Sequence, residues 1–421
     1  MTTQILIILG VMVAAYVAAK AAKLPVELGI FAAAAAGGLA GAFVATPPIG
    51  ELGRHLVEGS ITYLDVMLVF FTATLFMTVV DRSGGVVYVV RATLRVFGRR
   101  RVPALLALMV IVLIPGALTG AGSVSLLVVG APVAMALGRL GIGPKRVAAI
   151  LFIVAGLSAA APPVNIWAMI LCAGTAIPYV GFEFTLGLPV LLLGTFTMLA
   201  LGLKKEPGAA AGPAELPEPP PGMTWWRVAL PFLVFFGLVA AYRIWPFATP
   251  IFGLALEFVA AAAAALFLSP RRIDVLPLAR DTVKRLLPLL ATTVVVGMLQ
   301  QIMTATGVRG LLSFAAISTP LVVLFFLLPV IIPFSEGVLT YGAAAILGIP
   351  LIWLLDSMGY HATVVIAGLS LLWPLGDGLP PTALIGRLST MVSGYKGPYR
   401  DFLKATWLPW LVITAAAMAM I

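Results

Sequence analysis

Long apolar runs recur from one end of the chain to the other, separated by short polar or basic segments. Most are close to twenty residues, the length at which a helix crosses the hydrocarbon core of a bilayer. The pattern therefore predicts an all-α polytopic membrane protein with about ten transmembrane helices. They are expected near residues 4–19, 24–45, 61–81, 147–171, 184–203, 228–246, 249–268, 286–305, 361–377 and 405–420.

Two longer stretches, about 102–140 and 310–356, are also apolar but are interrupted by Gly, Pro, Ser and Thr. Basic clusters mark the cytoplasmic ends of membrane helices. The first stretch begins beside Arg99–Arg101 and ends beside Lys145 and Arg146, so both of its ends lie in the cytoplasm. We predict a re-entrant hairpin there, and a second hairpin at 310–356 that opens to the opposite, poorly charged side.

The composition excludes a soluble protein. Hydrophobic residues make up 62% of the 421 residues and charged residues only 10%, whereas soluble domains carry about 25% charged residues. The net charge of +10 lies in short clusters between apolar runs, which favours contact with an anionic lipid leaflet over nucleic-acid binding. The predicted location is the cell inner membrane, with both termini on the extracytoplasmic side.

A segment rich in Pro, Gly, Ala and charge, residues 204–227, divides the chain near its middle and is predicted to be a cytoplasmic linker. Residues 1–203 and 228–421 then form two repeats. When Pro333 is aligned with Pro115 without gaps, other helix-breaking positions coincide as well, and Glu336 and Asp377 correspond to Leu118 and Ala159. The coinciding positions are Pro115 and Pro333, Gly130 and Gly348, Pro132 and Pro350, Gly141 and Gly359, and Pro162-Pro163 and Pro380-Pro381. Each repeat has an odd number of spans plus one hairpin, so the repeats are predicted to be inverted.

Inverted repeats with helices broken at double prolines indicate a secondary transporter. A break inside the membrane frees backbone N–H groups at the start of one half-helix and carbonyls at the end of the other. Lipid cannot satisfy these groups, so they must face protein or a wet cavity. The N–H ends attract anions and the carbonyl ends attract small cations.

The motifs that carry this pattern resemble those of a known family. Pro115-Gly116-Ala117-Leu118-Thr119-Gly120-Ala121-Gly122-Ser123, Ala161-Pro162-Pro163, Ser335-Glu336-Gly337 and Leu379-Pro380-Pro381-Thr382 are similar to the large membrane subunit of TRAP transporters (DctM-like). The resemblance covers about residues 20–420 and extends to the ion transporter superfamily, which includes divalent-anion/sodium symporters and gluconate-type permeases. Asn165, Trp167 and Arg387 depart from the TRAP pattern.

The resemblance implies a cation site at each hairpin tip, facing the double-proline break. The residues it assigns to cation binding are Gly120, Gly122, Pro162, Ser335, Glu336, Gly337, Asp377, Gly378 and Pro380. The residues assigned to the substrate are Thr119, Ser123, Asn165, Thr340, Thr382 and Arg387. It further implies an elevator-type transporter of small organic anions, dicarboxylates among them, coupled to Na⁺. A small membrane subunit, a periplasmic substrate-binding protein and a homodimer are partners that the sequence leaves open.

Several of these residues have a second interpretation. Glu336 and Asp377 lie in apolar stretches, where an ionisable residue is a functional candidate by default, and they are consistent with H⁺ coupling as the alternative to Na⁺. The hydroxyls of Ser123 and Thr340 line the site or bond back to their own helix. Arg387 either anchors a substrate carboxylate or extends to the cytoplasmic face.

The sequence contains none of the usual motifs of hydrolases, nucleotide-binding proteins or zinc proteases, so no enzymatic activity is predicted. A channel built from the hairpin tips remains the alternative from another class, because carbonyl-lined hairpins also form selectivity filters. The repeats with two facing breaks favour alternating access, and the predicted function is cation-coupled transport of organic anions.

Overall fold

The computed structural model describes residues 2–44, 48–204, 217–245, 248, 253–380 and 382–421, and these residues form helices joined by short turns. Half of the predicted linker, residues 205–216, and the second proline of the pair 380–381 lie outside the described residues. In the described part, nine helices are long and apolar enough to cross a membrane, or ten if the bent pair Tyr399–Ala405 and Trp407–Met420 counts as one span. The prediction of an all-α polytopic membrane protein is confirmed.

The first half of the chain contains twelve α-helices. They are α1 (Thr2–Ala21), α2 (Val26–Val44), α3 (Ile49–Ile61), α4 (Leu64–Arg82), α5 (Gly85–Phe97), α6 (Arg101–Thr119), α7 (Gly122–Ser125), α8 (Ala131–Arg139), α9 (Pro144–Ala160), α10 (Ile166–Thr175), α11 (Phe182–Thr185) and α12 (Gly187–Gly202). A π-helical turn, Leu126–Gly130, joins α7 to α8. The apolar run expected at 147–171 consists of α9 and α10, separated by the break that the sequence predicts at Pro162 and Pro163.

Among the described residues, the second half of the chain contains ten α-helices. They are α13 (Trp225–Ile244), α14 (Gly253–Leu268), α15 (Val275–Ala305), α16 (Val308–Ser318), α17 (Leu321–Leu339), α18 (Ile349–Ser357), α19 (Ala362–Gly376), α20 (Leu384–Val392), α21 (Tyr399–Ala405) and α22 (Trp407–Met420). A π-helical turn, Ala344–Gly348, precedes α18. The hairpin expected over 310–356 is the pair α17 and α18, since residues 308–318 form the separate helix α16.

Both halves contain a hairpin with a π-helical turn in its second arm. The π-helical turns that begin at Leu126 and Ala344 occupy equivalent positions in the register of the sequence repeats, and so do the helices α8 and α18 that follow them. In that register Thr119, the last residue of α6, is equivalent to Gly337, but α17 continues to Leu339. The tip segment between the first arm and the π-helical turn is therefore two residues longer in the first hairpin (120–125) than in the second (340–343).

The first hairpin opens toward the end of the chain's first half. Arg101 at the start of α6 donates hydrogen bonds to the carbonyl of Gly202 (Nε at 3.0 Å and Nη2 at 2.6 Å) and to the carbonyl of Leu140, just after α8. Arg146 at the start of α9 donates to the carbonyl of Lys204 at 3.1 Å. Both arms of the hairpin thus end at the face where the linker begins.

The second hairpin follows α15, which runs away from that face. Near its start Asp281 lies 3.7 Å from Arg82 at the end of α4, and its end packs beside the start of α1, where a Cβ on Gly307 would lie 3.2 Å from Ile5. At about 1.5 Å per residue, thirty-one residues extend about 46 Å, enough to cross a bilayer core. The second hairpin begins beyond α16 at this far end.

Candidate functional site

The tip of each hairpin is tied to the helix break of its own repeat by one backbone hydrogen bond. The N–H of Val164 donates to the carbonyl of Ala117 at 3.0 Å, and the N–H of Thr382 donates to the carbonyl of Gly337 at 3.2 Å. Both donors directly follow the double proline of their repeat, whereas the acceptor Gly337 lies two positions beyond the residue that the sequence register pairs with Ala117. This repeated bond fixes the register of the repeats at the site.

The packing at the hairpin tips shows which residue of the first repeat is equivalent to Glu336. A Cβ on Gly376 would lie 2.7 Å from the Cβ of Glu336, and a Cβ on Gly116 would overlap the hydroxyl of Ser158. The structural counterpart of Glu336 is therefore Gly116, not Leu118. In the second repeat Glu336 of the hairpin packs against Gly376 of the facing helix α19. In the first repeat the glycine, Gly116, is on the hairpin and the larger residue, Ser158, is on the facing helix α9.

Glu336 lies at the centre of a buried cluster that also contains Asp377, Tyr341 and Trp167. Glu336 has no exposed surface, Asp377 is 4% exposed, and the rings of Tyr341 and Trp167 are in contact with centroids 5.2 Å apart. The indole of Trp167 lies beside the Glu336 carboxyl. Among the described residues, neither carboxyl oxygen of Glu336 nor the indole N–H of Trp167 makes a hydrogen bond of normal geometry. Two carboxyl groups are thus held in apolar surroundings, where a bound cation or proton would compensate their charge.

Carbonyls at the two breaks already accept hydrogen bonds from protein groups, and one of them belongs to Gly378, which the resemblance assigned to cation binding. In the first repeat the side-chain amide of Asn165 donates to the carbonyl of Ala160 at 2.8 Å, and the hydroxyl of Tyr179 donates to that of Pro163 at 3.1 Å. In the second repeat the hydroxyl of Tyr399 donates to the carbonyl of Gly378 at 2.8 Å. Unlike these carbonyls, the carboxyl oxygens of Glu336 are oxygen ligands without a hydrogen-bond donor in the described structure.

Asn165 joins the two half-helices of the first break. Its side-chain amide donates to the end of α9, while its side-chain oxygen accepts from the N–H of Ala168 at 3.0 Å and so caps the start of α10. Its own N–H donates to the hydroxyl of Tyr179 at 3.0 Å. The residue is fully buried, and these contacts give it a structural role at the break.

A cavity of about 290 Å³ lies between the hairpin tips and the helices α2, α4, α15 and α20. Ser123 from the first tip and Thr340 and Tyr341 from the second tip line it together. Thr340 has a positive φ of 53°, which is unusual for a residue with a side chain, and its hydroxyl donates to the carbonyl of Leu339 at 2.7 Å. The structure thus brings Ser123 and Thr340, both expected at the substrate site, to one cavity.

The other residues expected at the site lie outside this cavity lining. Thr119, Gly120 and Gly122 are buried at the first tip, as are Ser335 and Gly337 at the second, and Gly378 is buried at the second break. Thr382 is half-buried and bonded to Gly337, Pro162 lines a separate apolar pocket, and Pro380 and Arg387 are exposed.

Sequence reasoning missed the part of the cavity that α2, α4 and α15 contribute. The residues are Glu27, Thr74, Thr78, Arg285 and Thr292. Thr74 and Thr78 are four residues apart and therefore on one face of α4. In the sequence, two threonines four residues apart inside an apolar run are the pattern that could have indicated this polar helix face.

Comparison with known proteins shows the fold. No protein-family model and no curated protein sequence matches the chain. A crystal structure of the YdaH transporter from Alcanivorax borkumensis, described as having an unusual topology, superimposes with a TM-score of 0.59 at 15% identity. The match covers 88% of this chain and 87% of that one. The chain accordingly has the fold of a polytopic membrane transporter.

Proposed function

We propose that the protein is a secondary active transporter that moves small organic anions across the inner membrane by alternating access. The observation that carries the proposal is the cavity between the two hairpin tips, because residues of both repeats meet there. Hairpins that open to opposite faces and meet at one cavity give the substrate access from one side at a time. The resemblance of the tip and break motifs to the TRAP large subunit supports the choice of organic anions.

The proposed movement is of the elevator type. The hairpins, the broken helices α9–α10 and α19–α20, and the helices α12 and α22 that pack on α9 and α19 form the moving unit. The scaffold consists of α1, α2, α3, α4, α13, α14 and α15. The scaffold is closely packed where α3 joins α15, since Gly59 and Gly297 let the two backbones touch. The cavity lies where moving unit and scaffold meet.

The proposed coupling site is the cluster of Glu336 and Asp377. The family resemblance favours Na⁺ as the coupling ion, and the unpartnered carboxyl oxygens of Glu336 favour H⁺ as the alternative. Tyr341 lines the cavity and its ring contacts that of Trp167, so it connects the cavity with this cluster. Coupling through Tyr341 would let an ion bound at the cluster change the shape of the cavity.

A small membrane subunit, a periplasmic binding protein and a homodimeric assembly belong to the proposal as partners that the TRAP resemblance suggests. They are tested by asking whether the purified chain transports by itself. Transport by the purified chain alone would show that neither a small membrane subunit nor a periplasmic binding protein is required.

Uptake into proteoliposomes tests the proposal. Radiolabelled succinate, benzoate and hexanoate are offered to the purified chain in the presence of Na⁺ and pH gradients. We expect saturable uptake of at least one anion and acceleration by unlabelled anion on the opposite side. Flux that rises linearly with concentration and shows no counter-transport would indicate a channel, and no flux of any organic anion would contradict the proposal.

A further inference from the structure

The cavity has an aliphatic wall and a scaffold wall that carries three hydroxyls, while the hydroxyls of Ser123, Thr340 and Tyr341 lie at the hairpin tips. Of its sixteen lining residues eight are aliphatic or proline, six carry hydroxyls, and two are charged. The aliphatic wall comes mainly from the moving unit, with Val124 and Leu127 on the first hairpin and Leu384 and Leu388 on α20. The hydroxyl groups of Thr74, Thr78 and Thr292 lie on the scaffold helices α4 and α15.

One hydroxyl on the scaffold wall has no partner. Thr74 is 5% exposed, and its Oγ1 makes no hydrogen bond within the described residues. The neighbouring hydroxyls are engaged, since Thr78 donates to the carbonyl of Thr74 at 2.7 Å and Thr292 donates to that of Pro288 at 2.9 Å. A buried unpaired hydroxyl is costly, and an acceptor atom of a ligand in the cavity would satisfy it.

The cavity contains one residue of each charge. Among the described lining residues Arg285 is the cation, and it also interacts electrostatically with Asp81 on α4. Glu27 is the anion, and its carboxylate accepts a hydrogen bond from Thr292 at 3.3 Å. A ligand with one carboxylate finds one guanidinium. A second carboxylate on the ligand would find no further cation and would be repelled by Glu27, at a cost that burial increases.

On the basis of the proposed function, we propose that the substrate is a monocarboxylate with an apolar body. Its carboxylate accepts hydrogen bonds from Thr74 and lies toward Arg285, while its hydrocarbon part packs against Leu127, Leu384 and Leu388. A volume of about 290 Å³ equals the share of about ten water molecules in the liquid, which is enough for an acid of six to eight carbons. The structure thus favours a different substrate from the dicarboxylates that the TRAP resemblance suggests.

Calorimetric titration of the protein in lipid nanodiscs, with empty nanodiscs subtracted, compares butyrate, hexanoate and adipate. We expect hexanoate to bind about fifteenfold tighter than butyrate, because each of its two additional methylenes contributes about fourfold when buried. Adipate has the length of hexanoate and a second carboxylate, and it is expected to bind at least tenfold more weakly. Tighter binding of adipate than of hexanoate overturns the inference and leaves the proposed function standing, whereas failure of all organic anions to bind contradicts both.

Three variants and one control variant test whether hexanoate binds in this cavity. Thr74→Val removes the unpaired hydroxyl, so hexanoate binding is expected to weaken about tenfold while the melting temperature stays the same or rises. Glu27→Gln removes the opposing carboxylate and is expected to strengthen the binding of adipate more than that of hexanoate. Leu388→Trp fills the cavity and abolishes hexanoate binding, whereas Leu192→Trp, at a position 61% exposed on α12, leaves it unchanged. Unchanged hexanoate binding in Thr74→Val or in folded Leu388→Trp protein overturns the inference.

Discussion

The carbonyl of Gly337 accepts two hydrogen bonds from Thr382, one from the backbone N–H at 3.2 Å and one from the side-chain hydroxyl at 2.9 Å. The backbone bond has a counterpart in the first repeat, from Val164 to Ala117. The hydroxyl bond has none, because valine occupies the equivalent position. The second hairpin tip is thus held to its break by one side-chain bond more than the first.

Replacing Thr382 by Val tests the contribution of that hydroxyl. The change keeps the shape and the backbone bond of the first repeat and removes one hydrogen bond, so we expect a loss of about 1 kcal/mol of stability. Thr382→Ser restores the hydroxyl and serves as the control. Thermal unfolding in detergent measures both variants. If the two variants melt at the same temperature but Thr382→Val has a weaker apparent affinity for substrate, the hydroxyl binds ligand, as predicted from the sequence.

The two hairpins are expected to open to opposite faces of the membrane. Arg139 at the end of α8 and Ser357 at the end of α18 are exposed, and the single native cysteine, Cys172, is buried. Arg139→Cys and Ser357→Cys are therefore labelled in intact cells and in inverted vesicles with a membrane-impermeant maleimide. Each site should react from one side only, Ser357→Cys in cells and Arg139→Cys in inverted vesicles. Reaction of both from the same side would rule out the inverted arrangement.

The pair Gly116 and Ser158 predicts a compensating double mutant. Gly116→Ala places a methyl group against the Ser158 side chain, and overpacking of this kind costs about 1–3 kcal/mol. Ser158→Gly removes that side chain, so the double variant should be more stable than Gly116→Ala alone. Gly10, which has open space around it, supplies the control variant Gly10→Ala. Additive effects of the two changes in a double-mutant cycle would show that the residues are not in contact.

Cation coupling is expected to depend on Glu336 and Asp377. Uptake is measured first with a Na⁺ gradient at fixed pH and then with a pH gradient without Na⁺. We expect Na⁺-driven uptake, and Glu336→Gln or Asp377→Asn should reduce it at least tenfold, because each removes a negative charge that a bound cation compensates. Counter-transport of labelled for unlabelled anion by the same variants shows that the protein is folded. The coupling ion would be H⁺ if uptake is independent of Na⁺, is driven by the pH gradient and is lost in both variants.

The sequence by itself determined the class of the fold. The lengths of the apolar runs predict the membrane helices, since only a helix about twenty residues long satisfies its own backbone while crossing lipid. Arg99–Arg101, Lys145 and Arg146 were sufficient to predict that the stretch 102–140 turns back, because charge bias orients short segments. The sequence does not show where the second hairpin begins, since α16 is apolar and continuous in pattern with α17.

The tertiary structure decided the register at the tips. The ungapped register of the repeats holds after the tips, but the first tip is two residues longer, so Gly116 rather than Leu118 is the counterpart of Glu336. An ungapped alignment of the two repeats cannot detect that one hairpin tip is longer than the other. Contacts between α6 and α9, and between α17 and α19, reveal it because they fix which side chains fill the same space.

The substrate cavity, too, depended on the packing of distant segments. Ser123, Thr340 and Thr74 line one cavity although they lie in a first hairpin, a second hairpin and a scaffold helix. The sequence shows each as a hydroxyl in an apolar run, and such a hydroxyl bonds its own helix as readily as it faces a ligand. Only the arrangement of helices determines that Thr78 is bonded within α4 while Thr74 is left without a partner beside the hairpin tips.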